Sequence, residues 1–125
     1  MIFVDTSAFY AILDRDDDIH AMARATWTEL LSETGGPAPV TSNYVLVESF
    51  ALIQARLGME AVRAFNDALL PVVRLYWIAA EDHMAAAHAV LTANRRGLSL
   101  VDCSSFQLMR RVGISGAFAF DRHFA

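Results

Sequence analysis

Apolar positions along the chain follow two rhythms. Short unbroken apolar runs alternate with longer stretches in which apolar residues return every three or four positions. Short runs read as strands buried on both faces, and the longer stretches as helices with one buried face. Ile2-Phe3-Val4 is the first such run, and residues 7–13 follow as a short helix that Thr6 or Ser7 can cap. Ile19, Met22, Ala23, Trp27, Leu30 and Leu31 then share one face of a second helix, which Gly35-Gly36-Pro37 ends. Residues 38–41 make a second strand. A third helix capped by Thr41 or Ser42 runs to about Leu57, with Gly58 as its stop and Val45, Leu46, Phe50 and Ile53 as its apolar stripe.

The alternation continues to the end. Residues 59–70 read as a fourth helix closed by Pro71, and residues 72–78 as the most obvious strand. Residues 80–96 form a fifth helix, with Glu81 and Asp82 in the first turn, Arg95 and Arg96 in the last, and Gly97 as C-cap. Asp102 precedes a sixth helix over residues 103–112, ended by Gly113, and residues 117–120 form a strand that stops on Asp121. Strands alternating with helices predict parallel, right-handed crossovers and an α/β fold. The length of 125 residues fits one domain and not two.

Composition sharpens this picture. Hydrophobic residues make up 55% of the chain and mean hydropathy is +0.34. Two helix layers around a buried sheet absorb that much apolar surface, or a partner covers part of it. No apolar run reaches the roughly 20 residues of a membrane span, and the N-terminus lacks the basic leader of a signal peptide. The single Cys103 excludes an internal disulfide and suits a reducing cytoplasm. The net charge of −4 is not that of a general nucleic-acid binder. All ten basic residues are arginine. The absence of lysine excludes a Walker-type phosphate loop and Schiff-base chemistry, and argues against a phospho-receiver domain.

The acids carry the chemistry. In a parallel sheet all strand C-termini lie along one edge, where ligands bind in open α/β folds. Asp5 and Asp121 end two strands there, Asp102 opens a helix at the same edge, and Glu48 lies on the helix leaving the second strand. Asp5 also has a plainer use as a helix cap, and Glu48 as a solvent-facing or arginine-paired acid. If the first and last strands are neighbours, all four acids can converge. Converging carboxylates repel unless a cation or raised pKa values compensate. An all-oxygen donor set suits Mg²⁺ or Mn²⁺ and not zinc, since the four histidines show no ligand spacing. A carboxylate-held divalent ion supports phosphodiester hydrolysis and lets an acidic protein take a polyanion. Arg15, Arg95, Arg96, Arg110, Arg111 and Arg122 are candidates for backbone contact, or are solvated charges. Cys103 reads as a small packed residue, His88 as a core or partner-facing one, and the acidic loop at residues 14–18 as caps and turns.

The stretches IFVDTSAFYAILDRDD, TSNYVLVESFAL, LSLVDCSSFQLMRRVGI and AFAFDRHF, in this order, resemble the PIN-domain ribonucleases, specifically VapC-type toxins of toxin–antitoxin pairs. The resemblance spans essentially the whole chain. It implies a three-layer α/β/α fold with a central parallel sheet of four or five short strands, as a single domain over residues 1–125. It also implies an acidic quartet of Asp5, Glu48, Asp102 and Asp121. Asp5 and Asp102 would be the principal metal ligands, and Glu48 and Asp121 would complete the site directly or through water. Thr6 and Ser104 occupy positions of supporting hydroxyls. The implied activity is Mg²⁺- or Mn²⁺-dependent endonucleolytic cleavage of RNA. The implied partners are a VapB-type antitoxin, docked on apolar residues of the early helices, and a second copy in a homodimer or hetero-oligomer. A degenerate, non-cutting module that binds RNA or protein is the alternative. A phosphatase of the dehalogenase-like class fits poorly, because it needs an aspartate where Ser7 stands.

Overall fold

The computed structural model describes residues 1–32 and 36–121. Its centre is a parallel sheet of β1 (Ile2–Val4), β2 (Pro39–Ser42), β3 (Arg74–Tyr76) and β4 (Gly116–Phe118), in the order β3-β2-β1-β4. The chain first builds outward from β1 through β2 to β3, then returns to lay β4 on the other side of β1. The order of strands therefore reverses between β1 and β4, and a crevice opens at their C-terminal ends. The conditional in the sequence argument is met: the first and last strands are neighbours, with Val4 opposite Phe118.

Six helices flank the sheet: α1 (Thr6–Leu13), α2 (His20–Ser32), α3 (Asn43–Leu57), α4 (Met59–Ala64), α5 (Ala80–Ala93) and α6 (Leu100–Val112). α1 packs on α2 and α3, and α5 packs on α6. Right-handed crossovers place α1 to α4 on one face and α5 and α6 on the other, the three-layer arrangement expected. Phe3, Val4 and Val40 are fully buried between the layers. Above them, Phe65 meets Phe9 edge-on at 5.1 Å and Phe50 at 5.3 Å, and Phe9 also meets Trp27 at 6.3 Å. Such edge-to-face pairs add to the area burial of each ring.

Several boundaries differ from expectation for physical reasons. Asp5, and not Thr6 or Ser7, is the N-cap of α1, because its carboxylate accepts the Ser7 N–H. Ser42 caps α3, while the Thr41 hydroxyl donates across the sheet to the Val4 carbonyl at 2.8 Å. Met22 and Leu31, assigned to the buried face of α2, are exposed. The stop at Gly35 lies outside the described residues.

The expected helix over residues 59–70 keeps α-geometry only to Ala64. It widens into a π-turn over Phe65–Leu69 and tightens into a 3₁₀ turn over Leu70–Val72. Pro71 has no N–H to give, and its ring would strike the carbonyl a turn earlier in a regular helix. The strand expected over residues 72–78 shrinks to Arg74–Tyr76 at the sheet edge. Asn43 draws the chain off the sheet just beyond it, since the Ile78 N–H donates to Asn43 Oδ1 at 2.7 Å. α5 stops at Ala93, where Asn94 takes the left-handed conformation (φ 50°) and serves as the C-cap in place of Gly97. α6 begins three residues early, at Leu100, and β4 ends at Phe118, so Asp121 sits in a bend beyond the strand. A fifth strand beyond Asp121 would fall on residues 122–125, which are not described.

Candidate functional site

Asp5 is built into the crevice from both sides. Its backbone N–H donates to the Phe118 carbonyl at 3.1 Å, which prolongs the β1–β4 ladder by one step. Its side chain turns into α1 as the cap. Oδ2 accepts both the Ser7 N–H at 3.2 Å and the Ser7 hydroxyl at 2.9 Å. Ser7 Oγ in turn accepts the Phe120 N–H at 2.9 Å. One hydroxyl thus ties the Asp5 carboxylate to the segment that carries Asp121. In the sequence Ser7 reads only as a cap and its tie to Asp5 is missed, although the signal is there: a cap carboxylate bonds the second or third helical residue, and the second is Ser7.

Thr6, the first helical residue, points the other way. Its hydroxyl accepts from Ser49 Oγ at 3.1 Å and has one proton to give. The Val45 carbonyl stands at a long 3.5 Å, and the Glu48 carboxylate is the other acceptor in reach. Thr6 therefore joins α1 to α3 beside Glu48. Ser104 does not contribute in this way, because its buried hydroxyl donates to the Val101 carbonyl of its own helix at 2.7 Å.

Asp102 is the third residue of α6 and closes a capping box with Ser99. The Asp102 N–H donates to Ser99 Oγ at 3.0 Å, and the Ser99 N–H donates to Asp102 Oδ2 at 3.1 Å. The box fixes the carboxylate at a helix N-terminus, where negative charge is favoured. It also explains the early start of α6: Ser99, not Asp102, opens the helix.

The four acids share one field. Burial is the main cause that pushes the Asp5 carboxyl above its ordinary range, and the Ser7 and Thr6 bonds pull it back while Asp102 adds to the rise. Burial also raises Glu48; Thr6 lowers it again, and Asp5, Asp102 and Asp121 each raise it. Glu48 thus feels all three other members. Among the described residues, however, no three Asp, Glu, His or Cys side chains stand close enough to chelate an ion as they are. The acids form a rim of neighbouring charges and not a closed cage.

The donor chemistry of this rim fits a hard cation. Its members are carboxylates whose like charges add to the rise of Asp5 and Glu48, and a divalent ion among them would relieve that repulsion. Among the described residues, softer ligands are engaged elsewhere. His20 Nδ1 is bonded to the Ala11 carbonyl, and His83 Nδ1 to the Tyr44 hydroxyl. Cys103 is buried, and burial pushes its thiol up and away from the thiolate a metal needs.

Of the arginines proposed for backbone contact, Arg111 is committed to a buried partner. Its Nε donates to Asp82 Oδ2 at 2.8 Å, joining α6 to α5. Asp82, read as a helix-dipole residue, is only 4% exposed and serves that pair. Arg95 and Arg110 line a cavity between the same two helices. Arg122 lies outside the described residues.

Comparison with known proteins bears on the family and the fold. A model of the PIN domain family matches residues 2–125. Two curated relatives, from two strains of Mycobacterium tuberculosis and each described as the 23S rRNA-specific endonuclease VapC20, are 36% identical over 126 residues. The match takes in 100% of this chain and 92% of theirs. The crystal structure of Mycobacterium tuberculosis VapC20, described as a sarcin–ricin loop cleaving toxin, superposes with a TM-score of 0.86. It is 36% identical, with 99% of this chain and 92% of that one covered.

Proposed function

The chain belongs to the PIN-domain family, as an endonuclease toxin of the VapC type, and from there we propose that its acidic rim holds Mg²⁺ or Mn²⁺ and hydrolyses RNA. PIN-domain nucleases generally use divalent metals. Asp5 and Asp102 are the principal ligands in this reading, with Glu48 and Asp121 completing the set directly or through water. The observation that carries it is electrostatic: the field of Asp5, Asp102 and Asp121 reaches Glu48 at the crevice where strand order reverses.

A divalent ion, when bound, supplies Lewis acidity toward a phosphoryl oxygen and eases deprotonation of a water. The chain's own residues do the remaining work. Ser7 holds Oδ2 of Asp5 and so fixes which way that carboxylate faces. The Ser99 box does the same for Asp102. Glu48 is only partly buried and stands at the rim beside the other acids, and in this reading it takes the proton from the attacking water. Hydrolysis adds that water across one P–O bond, and the leaving oxygen is reprotonated. Thr6, which accepts a hydrogen bond from Ser49 Oγ on the helix that carries Glu48, keeps a hydroxyl beside that carboxylate.

The substrate we propose is a structured ribosomal RNA loop, supported by 36% identity across this whole chain to a 23S rRNA-specific endonuclease. The partner is a VapB-type antitoxin in the cytoplasm. A groove beside α1 and α2, with Leu13, Trp27 and Leu69 as apolar lining and Arg15, His20 and Arg24 as basic lining, suits a segment that mixes apolar and acidic residues. Exposed Trp77, Met84 and Leu91 provide apolar surface for a homodimer or a hetero-oligomer to cover.

The test is cleavage of a synthetic sarcin–ricin-loop hairpin and of total ribosomal RNA. Wild-type protein with Mg²⁺ is expected to cut, EDTA to abolish cutting, and Asp5→Asn or Asp102→Asn to lower the rate about 100-fold or more. Cutting by Asp5→Asn at the wild-type rate refutes the site. RNA bound without metal-dependent product points instead to a non-catalytic binding module.

A further inference from the structure

Resting on the nuclease reading above, we propose that the cavity beside Glu48 receives one unstacked base of the RNA substrate, with the Tyr44 ring as its platform. The cavity has a volume of about 400 Å³ and is lined by Asn43, Tyr44, Val47, Glu48 and Val101. That is within the range of small-ligand sites.

Its occupant follows from its walls. Glu48 belongs at once to this cavity and to the acidic rim, so the two share a wall. A phosphodiester at the carboxylates leaves its neighbouring base within reach of the cavity. Tyr44, Val47 and Val101 make most of the lining apolar, which suits a flat aromatic ligand. The Tyr44 hydroxyl is hydrogen-bonded to Nδ1 of His83, and the two rings pack edge-on at 5.8 Å. That anchor holds the Tyr44 ring at the cavity wall from its far end. Single-stranded bases are taken by stacking on such rings.

Asn43 adds a polar selection. Its Oδ1 accepts the Ile78 N–H at 2.7 Å, which fixes the amide so that the NH₂ is the end left for the cavity. The NH₂ donates to a ring carbonyl or ring nitrogen of a base. A base with an acceptor at that edge fits better than one without it.

The experiment uses the sarcin–ricin-loop hairpin with an abasic site placed in turn at each position around the cut. With wild-type protein, one abasic position is expected to raise KM about 5- to 150-fold. In Tyr44→Leu the KM for intact hairpin rises by a similar factor, and the abasic site at that position costs nothing further. Tyr44→Phe keeps the ring and most of the wild-type KM. Val47, 70% exposed, accepts replacement without a folding penalty. Val47→Trp fills the cavity and is expected to raise KM with kcat unchanged. An abasic effect that persists undiminished in both Tyr44→Leu and Val47→Trp overturns the base pocket while the nuclease reading stands. Wild-type protein that cuts neither this hairpin nor total ribosomal RNA overturns both together.

Discussion

Replacing Ser7 by alanine isolates the link between the two halves of the acidic rim. Two hydrogen bonds disappear: the hydroxyl's donation to Asp5 Oδ2 at 2.9 Å and its acceptance of the Phe120 N–H, also at 2.9 Å. The first ends on a carboxylate, a class that contributes about 1.5–3 kcal/mol, and the second is an ordinary bond of about 1 kcal/mol. Ser7 is half-buried, so water recovers part of the loss. The expected net cost is about 2 kcal/mol, seen as a fall in Tm of about 6–10 °C. The Ser7 N–H still caps through Asp5, so α1 itself persists.

The chemical consequence has a definite sign. The Ser7 hydroxyl is the largest influence that lowers the Asp5 pKa, and without it the raised carboxyl rises further. Protons then compete with a divalent ion up to higher pH, and the acidic limb of the cleavage profile moves upward. Ser7→Thr keeps a hydroxyl and restores both stability and profile. The assay is RNA cleavage against pH beside thermal melting. An alanine variant that melts lower yet keeps the wild-type acidic limb would refute the link between Ser7 and the charge on Asp5.

Further outcomes follow from the same charges. Asp5 and Glu48 have folded pKa values above their unfolded ones, so their contribution to stability is fullest at pH below the unfolded values and is lost as pH rises through the folded ones. In EDTA, Asp5→Asn therefore melts higher than wild type at pH 7, and the gap closes as pH falls toward about 4; a gap that widens on acidification contradicts this. Mg²⁺ raises the wild-type Tm more at pH 7 than at pH 5, as melting curves with and without the ion will show. Arg111→Ala strands the carboxylate of Asp82, though the arginine side chain is 48% exposed and partly screened. About 1–2 kcal/mol of stability is lost, measured by urea unfolding, with RNA cleavage per folded molecule unchanged.

Periodicity was enough to place the α/β alternation, because buried strands and one-faced helices write different rhythms. It misplaced ends wherever a side chain overruled the pattern. Residues 72–78 look like a strand to any propensity scale, but the Asn43 bond to Ile78 and the 3₁₀ turn holding Pro71 leave only its middle on the sheet. Asp5, Asp102 and Asp121 drew notice because each sits at or near a boundary between elements, and Glu48 because it is an acid on the helix that leaves β2. Their neighbourhood depended on β4 returning to β1, which no local pattern encodes. Ser7 was legible only as a cap, since its second partner, the Phe120 N–H, is 113 residues away. Ser104 shows the converse: its position suggests support for the acids, while a helical hydroxyl readily bonds its own backbone.

Titration of Mn²⁺ into metal-free protein, followed by the electron paramagnetic resonance of the unbound ion, bears most directly on the acidic rim. Wild-type protein should remove Mn²⁺ from solution at pH 7 and release it on acidification, while Asp5→Asn and Asp102→Asn should bind at least about tenfold more weakly. Equal Mn²⁺ affinity in wild type and both variants would mean that these carboxylates do not form a metal site.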